Sequence, residues 1–237
     1  MTRVLVVAAH PDDIEFTAAG SVARWVADGA SVTYAIVTDG STGTEDPDLA
    51  GERLAALRRE EALAAAELVG VSDVEFLGYR DGYVEPTLDL RRDIARVFRR
   101  VRPHRLLAMD PVPLPGGWFV NHPDHRAVGQ ATLDITVTAG TTVGHFPEMA
   151  AQGLAPWRGL QEILVMGPGG GEHAVDISST IELKLKALLC HRSQLGEDVA
   201  ERMRAAAAFN GRTHGFAYAE LFHRIVPLGV EPSDVQE

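Results

Sequence analysis

Residues 4–9 (Val, Leu, Val, Val, Ala, Ala) form an unbroken apolar run of small and β-branched side chains, the pattern of a strand buried on both faces. It ends abruptly in His10, Pro11, Asp12, Asp13 and Glu15. Residues 16–27 then carry Val22, Trp25 and Val26 at helical spacing and stop at Asp28-Gly29. A second buried strand covers 31–38 and enters a polar loop, 41–47, through Asp39-Gly40. The next helix is Ala-rich, repeats Leu54, Leu57, Glu61, Ala64 and Leu68 at the 3.6 period, and ends at Gly70. Glu61 falls on its apolar side, with Arg58 one turn earlier as a partner. Strands are expected at 74–77, 105–109 and 163–166. Helices are expected at 88–101, with Leu90, Ile94, Val97 and Phe98 inward, and at 123–138, 181–190 and 197–209. The stretch 111–121 is a loop punctuated by prolines and glycines, and 229–237 reads as a solvated tail.

Strand and helix alternate from residue 3 to about 140, which predicts an α/β fold of Rossmann-like type, a mostly parallel sheet with helices on both faces. No repeat or composition break divides the chain, so a single domain is expected over 1–228, followed by the tail 229–237. Such sheets bind ligands beyond the carboxyl ends of their strands. Here those ends carry His10 to Asp13, Asp39, Arg80-Asp81 and Asp110. The first strand–helix turn lacks G-x-G-x-x-G, and the glycine-rich turn 167–171 is not followed by Lys-Ser/Thr, so neither is a convincing nucleotide loop.

The formal charge of −11 over 237 residues argues against nucleic acid and anionic membrane as partners. No apolar run is long enough to span a bilayer, and the N-terminus is expected to enter a strand directly rather than form a signal peptide. One cysteine, Cys190, rules out an intrachain disulfide and suits a reducing compartment. A cytoplasmic protein is expected; a homo-oligomer is compatible with everything in the sequence.

Charge does change the picture locally. Asp12, Asp13 and Glu15 crowd the end of a buried strand, and a cation is the simplest way to relieve their repulsion. The competing explanation is a helix N-terminus, where Pro and acidic residues are favoured. A second cluster, Asn121 to His125 (NHPDH), mirrors the first at the start of another helix. Its two histidines, three apart, can share one side of a turn. Two histidines and a carboxylate leave a coordination position open, as in catalytic zinc sites, although Fe(II) accepts the same set. Water on such an ion has a pKa of roughly 7, and an unbound carboxylate nearby could take its proton.

With AHPDD at residues 9–13, Glu15, TDG at 38–40, Arg58-x-x-Glu61, GYRDG at 78–82, HPDH at 122–125 and His191-x-Ser193-Gln194 in this order, the chain closely resembles the PIG-L/LmbE-like family of zinc-dependent de-N-acetylases. The resemblance implies an LmbE-like fold, Zn2+ held by His10, Asp13 and His125 (with Fe2+ or another divalent ion as alternatives), and Asp12 as general base. It implies that His122 stabilises the oxyanion or protonates the leaving amine, with Asp124 orienting His122. Arg58 and Asp81 match positions that contact substrate hydroxyls in some sugar-specific relatives. The implied substrate is a small N-acylated amine, an amino sugar such as an N-acetylglucosamine derivative. Rivals are an amidase for a thiol conjugate or secondary metabolite, and a sugar-binding module without catalysis.

Two positions depart from the common pattern: Thr17 where members often have glycine, and Val120 where some have an aromatic residue. Within 111–121, Trp118 and Phe119 suit stacking on a sugar face, which makes this loop a candidate lid or wall. The acyl group and aglycone are not legible in the loops 41–51, 112–121 and 145–159.

Overall fold

The computed structural model describes residues 1–114, 119–167, 170–196 and 198–230. Trp118 and residues 231–237 of the expected tail lie outside the described residues. Among the described residues seven strands form the sheet: β1 (Arg3–Ala8), β2 (Ser31–Thr38), β3 (Asp73–Tyr79), β4 (Arg105–Met109), β5 (Glu162–Met166), β6 (His173–Asp176) and β7 (Ala219–Ile225). Their order is β3-β2-β1-β4-β5-β7-β6. The first five are parallel, with Val4 opposite Val32 on one side and Arg105 on the other. β7 runs antiparallel to both β5 and β6, so the parallel expectation holds for the core and stops at that edge.

The helices are α1 (Asp13–Thr17), α2 (Ala19–Ala27), α3 (Glu52–Leu68), α4 (Leu88–Val101), α5 (Pro123–Val137), α6 (Pro147–Ala151), α7 (Ile181–Leu188) and α8 (Asp198–Arg212). From β1 the chain builds outward through β2 and β3, then returns across β1 to β4. Right-handed crossovers put α2 and α3 on one face and α4 and α5 on the other. In agreement, α2 and α3 both pack on α7, whereas α4 packs on α5. β1 lies at the centre of the core, with Val4 to Ala9 fully buried. Among the described residues no helix is long and apolar enough to cross a membrane.

Two expected elements are rearranged. The helix expected over 16–27 is instead two, broken at Ala18 (φ −140°, ψ −3°). A buried ion pair compensates the break: Lys184 Nζ donates to the Glu15 and Phe16 carbonyls at 2.8 and 3.0 Å. Its partner Glu220, 2.7 Å away, accepts from the amides of Gly20 and Ser21. Backbone groups that an unbroken helix would have paired with one another are thus satisfied by opposite charges. On α3 the inward face is Leu54, Arg58, Glu61, Ala62, Ala65 and Ala66, while Leu57, Ala64 and Leu68 are exposed. Nor does Glu61 pair with Arg58; its carboxylate accepts from the Ser193 amide and hydroxyl at 2.8 and 2.6 Å.

Candidate active site

The strand order reverses between β1 and β4, which opens a crevice at their carboxyl ends. Both histidine–aspartate clusters converge there. β1 delivers His10, and the turn into α1 folds Asp13 back so that its Oδ2 accepts from the amides of Ala9 and His10 at 3.0 and 2.7 Å. Oδ1 faces His125 Nε2 at 3.1 Å. His10 Nδ1 lies 3.1 Å from that same His125 nitrogen. Ligand atoms around a tetrahedral ion with bonds of about 2.0–2.1 Å stand about 3.3 Å apart, so these spacings fit a metal held by His10, Asp13 and His125.

The far side of the His10 ring supports that fit. Its Nε2 faces Asp81 Oδ1 at 3.1 Å and Asp124 Oδ2 at 3.3 Å. A carboxylate accepting Nε2–H fixes the tautomer whose Nδ1 lone pair is free for an ion. Burial opposes a proton on His10, but the charge of Asp13 and the hydrogen bonds of Asp124, Asp13 and Asp81 outweigh it and push the pKa up to about 12 when no ion is present. Burial would likewise raise Asp13, yet His125 and His10 hold its carboxyl well below the usual range. The site is built around positive charge.

Residues 5–136 match the PIG-L family, described as GlcNAc-PI de-N-acetylase. The diacetylchitobiose deacetylase of Thermococcus kodakarensis is 34% identical over 92% of this chain and 81% of its own. A 1D-myo-inositol 2-acetamido-2-deoxy-alpha-D-glucopyranoside deacetylase of Saccharomonospora viridis is 31% identical over 81% of this chain and 85% of its own. The structure of N,N'-diacetylchitobiose deacetylase from Pyrococcus horikoshii, complexed with its inhibitor MPG, superposes with a TM-score of 0.87 at 32% identity, covering 95% of this chain and 84% of that one. The chain belongs to the PIG-L family.

Around the His10, Asp13 and His125 cluster, this PIG-L chain places the remaining site residues unevenly. Asp12, the N-cap of α1, accepts at Oδ1 from Arg58 Nη2 at 2.9 Å. Among the described residues its Oδ2 has no hydrogen-bond partner. Arg58 is 4% exposed; its Nη1 donates to the Gly40 carbonyl, while its Nε is buried without a partner. Asp81 is also 4% exposed and accepts from the Thr42 amide and hydroxyl. Arg58 and Asp81, two of the residues expected to touch substrate, are therefore committed to neighbours within the chain.

Asp124 requires a correction. Its carboxylate does not orient His122: Oδ2 accepts from the Gly82 amide at 2.7 Å and faces His10, while Oδ1 accepts from the Val84 amide. The backbone amide of Asp124 is what reaches His122, donating to Nδ1 at 3.2 Å as His122 caps α5. That bond leaves the His122 proton on Nε2. The ring is exposed and stands edge-on to His10 with centroids 4.7 Å apart. Partial burial and the positive charge of His10 lower its pKa, which favours the neutral, N–H-donating form.

Several further polar residues support the site. Glu15, fully buried beside the cluster, pairs with His191 Nε2 at 3.0 Å. Asp39 Oδ1 accepts from the amides of Ser41 and Asp81, joining the ends of β2 and β3. Asn121 Nδ2 donates to the Asp110 and Val112 carbonyls, tying the end of the 111–121 loop back to its start. The available signal was the same for all: polar residues at positions where strand ends or helix faces turn inward.

Proposed function

We propose that this protein is a divalent-metal-dependent, most simply zinc-dependent, hydrolase that removes an N-acyl group from an amino sugar. Support comes from the relatives, deacetylases of diacetylchitobiose and of a 2-acetamido-2-deoxy-glucopyranoside, and from the donor set of His10, Asp13 and His125. The observation that carries it is the division of labour between adjacent aspartates: Asp13 turns inward to the two histidines, while Asp12 turns to Arg58 and keeps one oxygen available. A passive sugar-binding module would need no such base. When bound, the ion supplies Lewis acidity and a water whose pKa falls to about 7.

The chain's own residues do the rest. Asp12 Oδ2 takes the proton of the attacking water, and the Arg58 guanidinium holds the carboxylate in position through Oδ1. His122 Nε2–H donates to the carbonyl oxygen as negative charge develops there. Asp81 and Asp124 hold His10 in orientation. Transfer of the captured proton to nitrogen releases amine and carboxylate. Free-amine release from N-acetylglucosamine and diacetylchitobiose, with and without chelator, tests the assignment. Equal turnover by chelator-stripped protein would remove the metal from it.

A further inference from the structure

Beside the metal cluster lies a cavity of about 500 Å³ that shares Asp13 and His125 with it. From there it runs between α1, α8 and β7, and its wall is mainly apolar: Phe16, Met109, Met203, Ala206, Ala207 and Leu221. The charged residues beyond, Lys184 and Glu220, neutralise one another at 2.7 Å and spend their remaining capacity on backbone groups. Asp12, His122, Asp81 and Thr42, the polar groups of the crevice, do not line it. The scissile amide therefore sits at a boundary, with hydrogen-bonding groups on one side and an apolar chamber on the other.

An acetyl methyl would leave this chamber nearly empty. The chamber is open to solvent on one side, and its volume of about 500 Å³ falls in the range of roughly 300–1,000 Å³ that holds drug-sized ligands. Apolar cavity walls favour an apolar occupant over water. Methionines at Met109 and Met203 suit a flexible chain, because the thioether adapts its shape. We infer that the chamber receives the acyl part of the substrate, and that this enzyme prefers an N-acyl amino sugar whose acyl group is a linear medium chain of about six to ten carbons rather than acetyl. The inference rests on the hydrolase assignment above. Water adds across the amide, and the products are a free medium-chain carboxylic acid and the free amino sugar.

The test is a series of N-acylglucosamines from acetyl to dodecanoyl, assayed by amine release with the metal-loaded protein, beside alkyl glycosides of N-acetylglucosamine. Expected is a rise in kcat/KM of about fourfold per methylene, the equivalent of about 0.8 kcal/mol per buried CH2, up to at least hexanoyl, with no comparable gain from the glycoside chain. In Ala207→Phe and in Met203→Trp, whose half-buried position makes it the safer variant to fold, the octanoyl-to-acetyl ratio of kcat/KM should fall at least about tenfold. Acetyl hydrolysed best, or gains only with alkyl glycosides, would overturn the inference and leave the hydrolase assignment standing. If no member of the series is hydrolysed, the hydrolase assignment fails, and calorimetry decides the chamber. Octanoylglucosamine binding that exceeds acetylglucosamine binding and is weakened by Met203→Trp supports it; equal binding overturns it.

Discussion

Arg58 Nη2 stands 2.9 Å from Asp12 Oδ1 across 46 residues of sequence, joining the inward face of α3 to the first turn after β1. Its consequence is a separation of roles between two neighbouring carboxylates. Asp12→Asn should keep the metal and the fold while losing at least about a hundredfold in kcat with little change in KM, within the contribution usual for general-base catalysis. Asp13→Ala should lose metal and activity together. Metal content, melting temperature and kcat for both variants decide the matter; wild-type-like turnover by the Asn variant would sink the assignment.

Arg58→Met should act on the same carboxylate from behind. Removing the guanidinium strips Asp12 of a charge-assisted hydrogen bond and leaves the Gly40 carbonyl without its donor. Turnover is expected to drop by about tenfold or more with metal content retained. Because the residue is buried, a stability loss will accompany it, so Arg58→Lys serves as the control: it keeps the charge and loses the fork. Partial recovery of kcat in the lysine variant is the expected sign of a positioning role.

Asp124→Asn addresses His10. The amide keeps one acceptor oxygen, so it can accept from only one of the Gly82 and Val84 amides, and it no longer presents a charged acceptor to His10 Nε2–H. Partners of this kind are typically worth about 10–100-fold in metal affinity. Competition titration with a chromogenic chelator should show a weakening in that range. Unchanged affinity would mean that Asp81 alone fixes the ring.

What the sequence conveyed and what it hid follow one physical line. Regular burial was legible: the core helix with Leu90, Ile94, Val97 and Phe98 inward, and the strand Arg105–Met109, lie where their periodicity put them. The convergence of His10, Asp13 and His125 was legible because they sit at strand–helix turns with strict spacing. Failures came where charge is buried. On α3 the apolar period pointed at Leu57 and Leu68, since the true inner face carries Arg58 and Glu61, polar residues paired with Asp12 and Ser193. The break at Ala18 depends on Lys184 and Glu220, contacts far away in sequence that no local pattern reports. The direction of the Asp124 carboxylate was likewise set by amides at Gly82 and Val84, forty residues upstream.

Lys184 and Glu220 are 2% and 4% exposed, so removing one leaves the other as a buried, uncompensated charge. Lys184→Met should cost about 3–5 kcal/mol of unfolding free energy. The double variant Lys184→Met/Glu220→Gln should be less destabilised than the sum of the single changes, because no net charge stays buried. Urea unfolding of all four proteins measures the coupling. Strict additivity would show that the pair does not act as a unit.

The last expectation concerns pH and lies at the opposite end of the sheet from the crevice. His104 Nδ1 accepts the Arg3 backbone N–H at 3.1 Å, which requires that nitrogen to be unprotonated. Partial burial, the neighbouring Arg3 guanidinium and the amino terminus all lower its pKa below the usual 6.5. The folded chain therefore binds this proton less readily than the unfolded chain. The stability contributed by neutral His104 is complete above about pH 6.5 and is lost as pH falls through the lowered folded value. In His104→Asn the amide oxygen can still accept from Arg3 and does not titrate, so this component of the pH dependence should vanish. Melting temperatures of wild type and variant between pH 4.5 and 7.5 should converge on the acidic side, the wild type losing stability faster as pH falls. A histidine NMR titration that put His104 at or above 6.5 in the folded protein would reverse the sign and refute the prediction.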